Sequence, residues 1–441
     1  MGSNRNLMAW AAMTGIAAAL LIGGKAGAEL LSSLFPDGVP GYDAAPGVTV
    51  KSRARPGYEP LGVPLPQFGG GGFMLWPRVE QSIGYDNNVL AGSHKRGSAV
   101  VRTEPTLLLS SRWARDALGA YVSVGDTRYP DLPAQGRTDV TLSVGGSVEI
   151  GDDRLTLAAA HVQRHQDRSA LDALASDRPV SVRVDDARAS YAINFGRWSL
   201  TPHIELASWR FGDASVLGVP VGQSYRDRLV VQGGATVRYE MAPLRNLIFS
   251  GRAIGQSYTA PLPGQAAPDS QGYQFLAGLD YDDDAVWRYR LLAGGAKRYA
   301  VAYRPRVDFV GEAEASWSPN GMTTLRANLS RSVEDAAQEG VVGFTYTGGK
   351  LAIDHEYMRN VLLTAMAGMQ QAEFNNQPGG QSGGRQSGYL AGAGVSWLVN
   401  RAVRLSLTHD IVGVSGSKSL PNGLSGDHTR QQTLLRVRLG L

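Results

Sequence analysis

The sequence predicts an all-β protein: a transmembrane antiparallel up-and-down β-barrel of about 18 strands (16–18), preceded by an export signal and a proline-rich leader. Three observations predict it. From Phe73 onward apolar residues recur at every second position; the alternating segments run about ten to fifteen residues; and the connections alternate short and long, with tryptophans beside the short ones. The 441 residues include 55 glycines, 22 prolines and no cysteine. Absence of cysteine excludes a disulfide scaffold, a cysteine-ligated metal centre and an acylated lipoprotein anchor. With 43% hydrophobic residues the chain is not a disordered one. A mean hydropathy of -0.17 argues against a helical membrane protein, yet fits a barrel whose wet interior dilutes the apolar belt.

Residues 1–28 read as a signal peptide. Arg5 precedes an apolar stretch from Leu7 to Ile22, and Ala26-Gly27-Ala28 supplies the small-residue cleavage site. A permanent anchor is the alternative. Without Arg5 and Lys25 the chain carries 41 basic against 39 acidic residues, which gives no reason to expect nucleic acid. Residues 29–72 hold seven prolines: Pro36, Pro40, Pro46, Pro56, Pro60, Pro64 and Pro66. Each removes a backbone donor, so neither helix nor sheet is expected to run through. The segment reads as an extended periplasmic leader, with a tether or a plug folded into a pore as its functional alternatives.

The barrel is expected over residues 73–441. Its strands are predicted at 73–86, 98–112, 117–128, 138–150, 153–165, 179–194, 198–211, 227–240, 247–258, 272–281, 288–299, 305–317, 322–333, 341–355, 361–373, 387–397, 402–415 and 429–441. In the run from Val140 to Ile150, Val140, Leu142, Val144 and Val148 alternate with Thr141, Ser143, Ser147 and Glu149; in the last, Leu435, Val437 and Leu439 alternate with Arg436 and Arg438. Successive strand side chains point to opposite faces, so each segment has one apolar and one polar face. Ten to fifteen residues exceed ordinary strands and suffice to cross a bilayer at a tilt. Short turns such as Gly151-Asp152-Asp153 and Gly196-Arg197 contrast with polar stretches at 87–97, 129–138, 166–178, 212–226, 259–271, 374–386 and 416–428. Trp113, Trp198, Trp287, Trp317 and Trp397 lie beside short turns, as a periplasmic aromatic girdle would. Pro77, Pro105 and Pro202 count against the scheme, each costing one ladder bond.

Unpaired backbone groups in hydrocarbon cost several kcal/mol each, so the sheet must close. Eighteen strands leave a lumen too wide for side chains alone to fill. The predicted register turns Arg78, Glu80, Arg102, Glu104, Glu149, Arg188, Glu205, Arg238, Glu240, Arg252, Asp280, Arg288, Arg290, Glu312, Glu314, Arg326, Arg404, Arg436 and Arg438 inward. Eleven arginines against eight carboxylates imply a weak anion preference; pairing between neighbouring strands is the plainer expectation for any one of them. Few aromatic residues are expected inside, mainly Trp76.

No catalytic, cofactor or metal site emerges. His161 and His165 form HVQRH, which lacks the glutamate of the zinc-protease motif. His409 and Asp410 are strand neighbours and face opposite ways. Gly343–Lys350 has one residue too many for a phosphate-binding loop, and Asp280, Asp282, Asp283 and Asp284 read as a solvated turn.

The junction of leader and first strand carries Arg55-Pro56-Gly57-Tyr58-Glu59-Pro60-Leu61-Gly62, then Gly72-Phe73-Met74-Leu75-Trp76-Pro77 and Gly84-Tyr85-Asp86-Asn87-Asn88-Val89. About 35 residues thereby resemble the outer-membrane β-barrel porin type 2 family, with its RP-x-Y-x-PLG leader, G-x-F-x-x-x-P strand and Y-D-x-N loop. Leu441 departs from the terminal aromatic of many barrels. The chain is expected to form a non-enzymatic porin-like channel for hydrophilic solutes or ions in a Gram-negative outer membrane. The resemblance makes an exopolysaccharide-export barrel with periplasmic export partners one alternative, and a plugged structural or adhesive barrel is another. The partners expected are outer-membrane lipid, lipopolysaccharide and the barrel-assembly machinery, with no nucleic acid and no cofactor.

Overall fold

A computed structural model describes residues 35, 38–42, 57–65, 72–216, 218–260, 269–282, 286–300, 306–336, 343–375, 384–416 and 426–441. The signal peptide 1–28 and the Asp283-Asp284 part of the acidic run lie outside the described residues.

The chain folds as a closed antiparallel 18-strand barrel. In order the strands are β1 Phe73–Asp86, β2 Ser98–Ser111, β3 Ala117–Arg128, β4 Arg137–Ile150, β5 Asp153–His165 and β6 Ser181–Phe195. Then come β7 Trp198–Phe211, β8 Arg228–Ala242, β9 Arg245–Tyr258, β10 Ser270–Asp282, β11 Trp287–Ala300 and β12 Arg306–Asn320. The last six are β13 Thr323–Glu334, β14 Gly343–Met358, β15 Val361–Asn375, β16 Arg385–Leu398, β17 Val403–Gly416 and β18 His428–Gly440. Each pairs with its successor, and β1 closes on β18 through the register Glu80↔Arg438. Closure leaves no edge, the condition hydrocarbon imposes on a sheet.

The turns explain the register. Gly151 (φ +66°) and Gly196 (φ +65°) open two-residue connections whose twist suits a hairpin and which only glycine enters without strain. Long connections gather at the opposite end, which in such barrels faces outward. Pro77, Pro105 and Pro202 all remain within strands, opposite Leu107, Val79 and Ala235. The β2–β3 ladder skips Glu104 and Pro105, where the proline has no N–H to give.

β1 starts five residues before its pairing with β18 begins at Arg78. A three-residue strand, Val63–Leu65, covers that overhang, with Val63 opposite Leu75 and Leu65 opposite Phe73. The expectation is that no sheet runs through the proline-rich leader, and this strand enters it over three residues near its end. Pro64 is tolerated because this short strand is itself an edge, where a missing donor costs least.

The two faces of the wall divide sharply. Val79, Ile83, Val144, Leu206, Phe275 and Leu435 are exposed on the outside, while Ser82, Thr141, Asp280, Thr408 and their like are buried inside. Trp113, Trp198, Trp287, Trp317 and Trp397 stand outward near the short turns; Trp287 and Trp317 stack with ring centres 5.2 Å apart, and Trp198 lies 4.5 Å from Tyr239.

Candidate functional site

The lumen is the concave surface on which a site can be built. On the strand register Arg78, Glu80, Arg102, Glu104, Glu149, Arg188, Glu205, Arg238, Glu240, Arg252, Asp280, Arg288, Arg290, Glu312, Glu314, Arg326, Arg404, Arg436 and Arg438 occupy inward positions. Most are joined to neighbours. Arg438 meets Glu80 at 2.7 Å, Arg102 meets Glu104 at 2.7 Å, Arg238 meets Asp280 at 3.0 Å and Arg290 meets Glu312 at 3.5 Å. Arg188 lies between Asp186 (2.9 Å) and Glu205 (3.5 Å), and Arg326 pairs with Asp354. Glu149 takes Arg154 and Arg115; Arg252 donates to Gln274, and Glu314 accepts from Asn328. Such pairs stiffen a wall as well as charge it.

One stretch of wall is over-supplied with cations. Arg436 and Arg102 flank Ser82 on the neighbouring strands, and Arg438, Glu80 and Glu104 form the next row, followed by Arg78. Four arginines on β18, β1 and β2 thus face two glutamates.

Among the described residues two segments enter the lumen. The first is the outer connection from β5 to β6, closed at its base where Gln166 N–H donates to Val180 C=O (2.8 Å). Its tip residue, Leu171, is buried against Phe344, Tyr346, Ala372, Phe374 and Val414. Those residues belong to β14, β15 and β17, about half the ring away from β5, so the connection crosses the bore. The Asp172 N–H donates to Gln386 Oε1 on β16 (2.9 Å), and Asp172 holds a left-handed backbone (φ +63°). At the base, Arg430 binds Asp86 at 2.6 Å and Asp167 at 3.4 Å.

Cations surround this crossing. Burial, and then the neighbouring Arg137 and Arg430, push the Arg168 guanidinium down to about 10. Burial does the same to Arg226, which lies 3.9 Å over the Phe211 ring. Both remain charged at neutral pH. Asp335, just beyond β13, is held by Arg228 (3.2 Å) and Arg298. Burial alone would raise its carboxyl, but the two guanidiniums hold it below the usual range.

The second segment is part of the leader. Phe35, Val39 and Tyr42 are buried inside the wall with Leu108, Tyr121, Ala158, Ala160, Val162 and Val184. The Tyr42 hydroxyl donates to Asp186 Oδ1 (2.6 Å), and Arg188 lies 4.7 Å from the Tyr42 ring centre. Burial and then the Asp186 carboxylate push the Tyr42 hydroxyl far up. Small wall residues make the room: a Cβ on Gly119 would strike the Gly38 carbonyl, and one on Gly145 the Pro40 carbonyl.

The structure corrects the expectation of few inner aromatics. Trp76, Tyr121, Trp209, Tyr258, Phe344, Tyr346 and Phe374 all face inward. The leader, the crossing connection and the arginines cover these rings; Arg228 lies 5.3 Å from Trp209 and 5.9 Å from Tyr258. Also absent from the predicted lining are Asp86, Arg164, Arg168, Arg226, Arg228, Arg298, Asp335 and Arg430. The signal that could have found the crossing is Ala170-Leu171-Asp172-Ala173-Leu174, an apolar island in a polar connection. His161 and His165 are engaged separately, by Asp185 (2.6 Å) and Asp139 (2.8 Å), and His409 meets Thr433 (2.8 Å). Among the described residues no group of three or more potential metal ligands comes together.

A family profile described as "Putative beta-barrel porin 2" matches residues 55–423. Among solved structures, the chain is similar to OccK9 (OpdG) of Pseudomonas aeruginosa, at 12% identity over 84% of this chain and 98% of that one, with a TM-score of 0.46. It is also similar to the outer membrane protein opdK of the same organism (11%, 83% and 98%, 0.44). The ferric enterobactin receptor PfeA, again of P. aeruginosa, gives 7%, 83% and 80%, with 0.43. No curated protein matches the sequence.

Proposed function

The chain belongs to the Putative beta-barrel porin 2 family of the Gram-negative outer membrane, and from that premise we propose a narrow, non-catalytic channel for small hydrophilic solutes, with a preference for anions. One observation carries the reading: a charged, polar inner wall surrounds a bore that the β5–β6 connection crosses and the leader partly fills. A polar lining replaces the hydration a solute sheds on entry, and a constricted bore makes that lining act at short range. The arginine excess on β18, β1 and β2 supplies the sign of the preference. The crossing connection supplies the size limit, because Leu171 reaches the far wall.

The test is reconstitution of the full mature chain in planar bilayers under a salt gradient. Small unitary steps with an anion-selective reversal potential are expected. Silence from both the parent chain and a chain whose crossing connection is undocked would overturn the channel reading in favour of a closed structural barrel.

A further inference from the structure

The lipid-facing wall carries a feature that a channel does not need. Val182 and Val184 pack inward with the lumen cluster, as does Trp209, so the intervening register turns Arg183 and Arg210 outward. The two are directly opposite one another on β6 and β7, one pair below the outer end of the hairpin, Val182↔Phe211. Both are exposed. Like charges at opposed positions of adjacent strands repel, and such a pair is destabilising without a counter-charge. Among the described residues neither Arg183 nor Arg210 forms an ion pair. The acid nearest Arg183 in the register, Asp185, is already taken by His161 at 2.6 Å, and Asp227, next in register to Arg210, accepts from the Phe211 N–H at 2.7 Å.

The height of the pair matters. Tyr85 on β1 and Tyr299 on β11 also stand outward one register pair from the outer ends of their hairpins, and Tyr273 and Tyr389 lie slightly lower. Those rings mark the outer headgroup level, where tyrosine settles. One register pair from its outer end, the β6–β7 hairpin shows Arg183 and Arg210 instead, with Gln163 of β5 directly opposite Arg183. A polar row whose two guanidiniums form no ion pair among the described residues suits an anionic headgroup able to accept from both forks at once.

The geometry points to Arg183 and Arg210 as a binding site for a phosphate group of an outer-leaflet glycolipid. Two guanidinium forks about 5 Å apart at Cβ can share one phosphate, which removes their mutual repulsion. Gln163 adds a neutral donor beside it. The site lies outside the lumen and is independent of the channel reading.

The experiment uses the full mature protein in detergent micelles and native mass spectrometry, with bisphosphorylated lipid A, its dephosphorylated form and inorganic phosphate as probes. The parent protein is expected to retain bisphosphorylated lipid A and to bind the dephosphorylated form at least about tenfold more weakly. Arg183→Gln with Arg210→Gln should remove that distinction, whereas Arg183→Lys with Arg210→Lys should keep part of it. Heat-modifiable gel migration shows that each variant is a folded barrel, and unchanged single-channel conductance separates this site from the lumen. Equal binding of lipid A by the parent and the glutamine variant would overturn the assignment. Displacement of lipid A by millimolar inorganic phosphate would overturn the glycolipid as ligand and leave a site for the small anion.

Discussion

Leu171 concentrates much of the constriction in one side chain. Burying a leucine stabilises by about 1.5–3 kcal/mol, and here that contribution docks a connection to a wall far from it in sequence. Leu171→Asp would place a carboxylate among Phe344, Tyr346 and Phe374, none of which carries a counter-charge. The connection should leave the far wall, and unitary conductance in planar bilayers should rise severalfold while the barrel stays folded. Asp335 makes a prediction about pH. Its folded-state value lies below that of an unfolded aspartate because Arg228 and Arg298 hold it ionised. The stability it contributes is therefore present at neutral pH and above the unfolded value near 3.9, and is lost as pH falls through the lower folded value. Asp335→Asn should lower the thermal unfolding temperature at pH 7, and the gap from the parent should close progressively below about pH 4.

At the scale of elements, the lumen is filled by segments that the wall was shaped to receive. Gly119 on β3 and Gly145 on β4 leave space in which the leader backbone rests. Gly145→Val would put a branched side chain where the Pro40 carbonyl lies. The leader should leave the wall, the barrel should persist, and cleavage near residues 35–42 by an added protease should accelerate. Unaltered cleavage would show that the wall adapts. These elements also show where sequence reasoning reached and where it stopped. All eighteen strands were legible to within about three residues, because a lipid-facing side chain cannot be polar for long and a lumen-facing one need not be apolar. The inward destination of Leu171 was not legible: an apolar residue in a connection carries no label for which surface it will meet. The same holds for Arg226 and Asp335, which lie outside every alternating run.

On the channel reading, the relevant quantity for the whole molecule is the sum of inward charge along the bore. Pairing neutralises most of the wall, so selectivity should rest on the few positions where pairing is incomplete. Arg102→Glu together with Arg436→Glu reverses the sign of the β18–β1–β2 stretch. The reversal potential in a salt gradient should move from anion toward cation preference with little change in conductance. The difference should shrink at high salt, where screening shortens the reach of each charge to a few ångströms.

Strand number, facing and closure follow from the chain's own alternation, since the bilayer tests every side chain against one of two solvents and every backbone group for a partner. The positions of the short turns were likewise readable. What the bore holds depended on tertiary structure. The crossing of Leu171 and the seat of Tyr42 on Asp186 arise only when distant segments are brought together in a closed ring. Alternation has a range of two residues. Ring closure relates positions separated by a hundred or more, and no local pattern encodes which of them will meet.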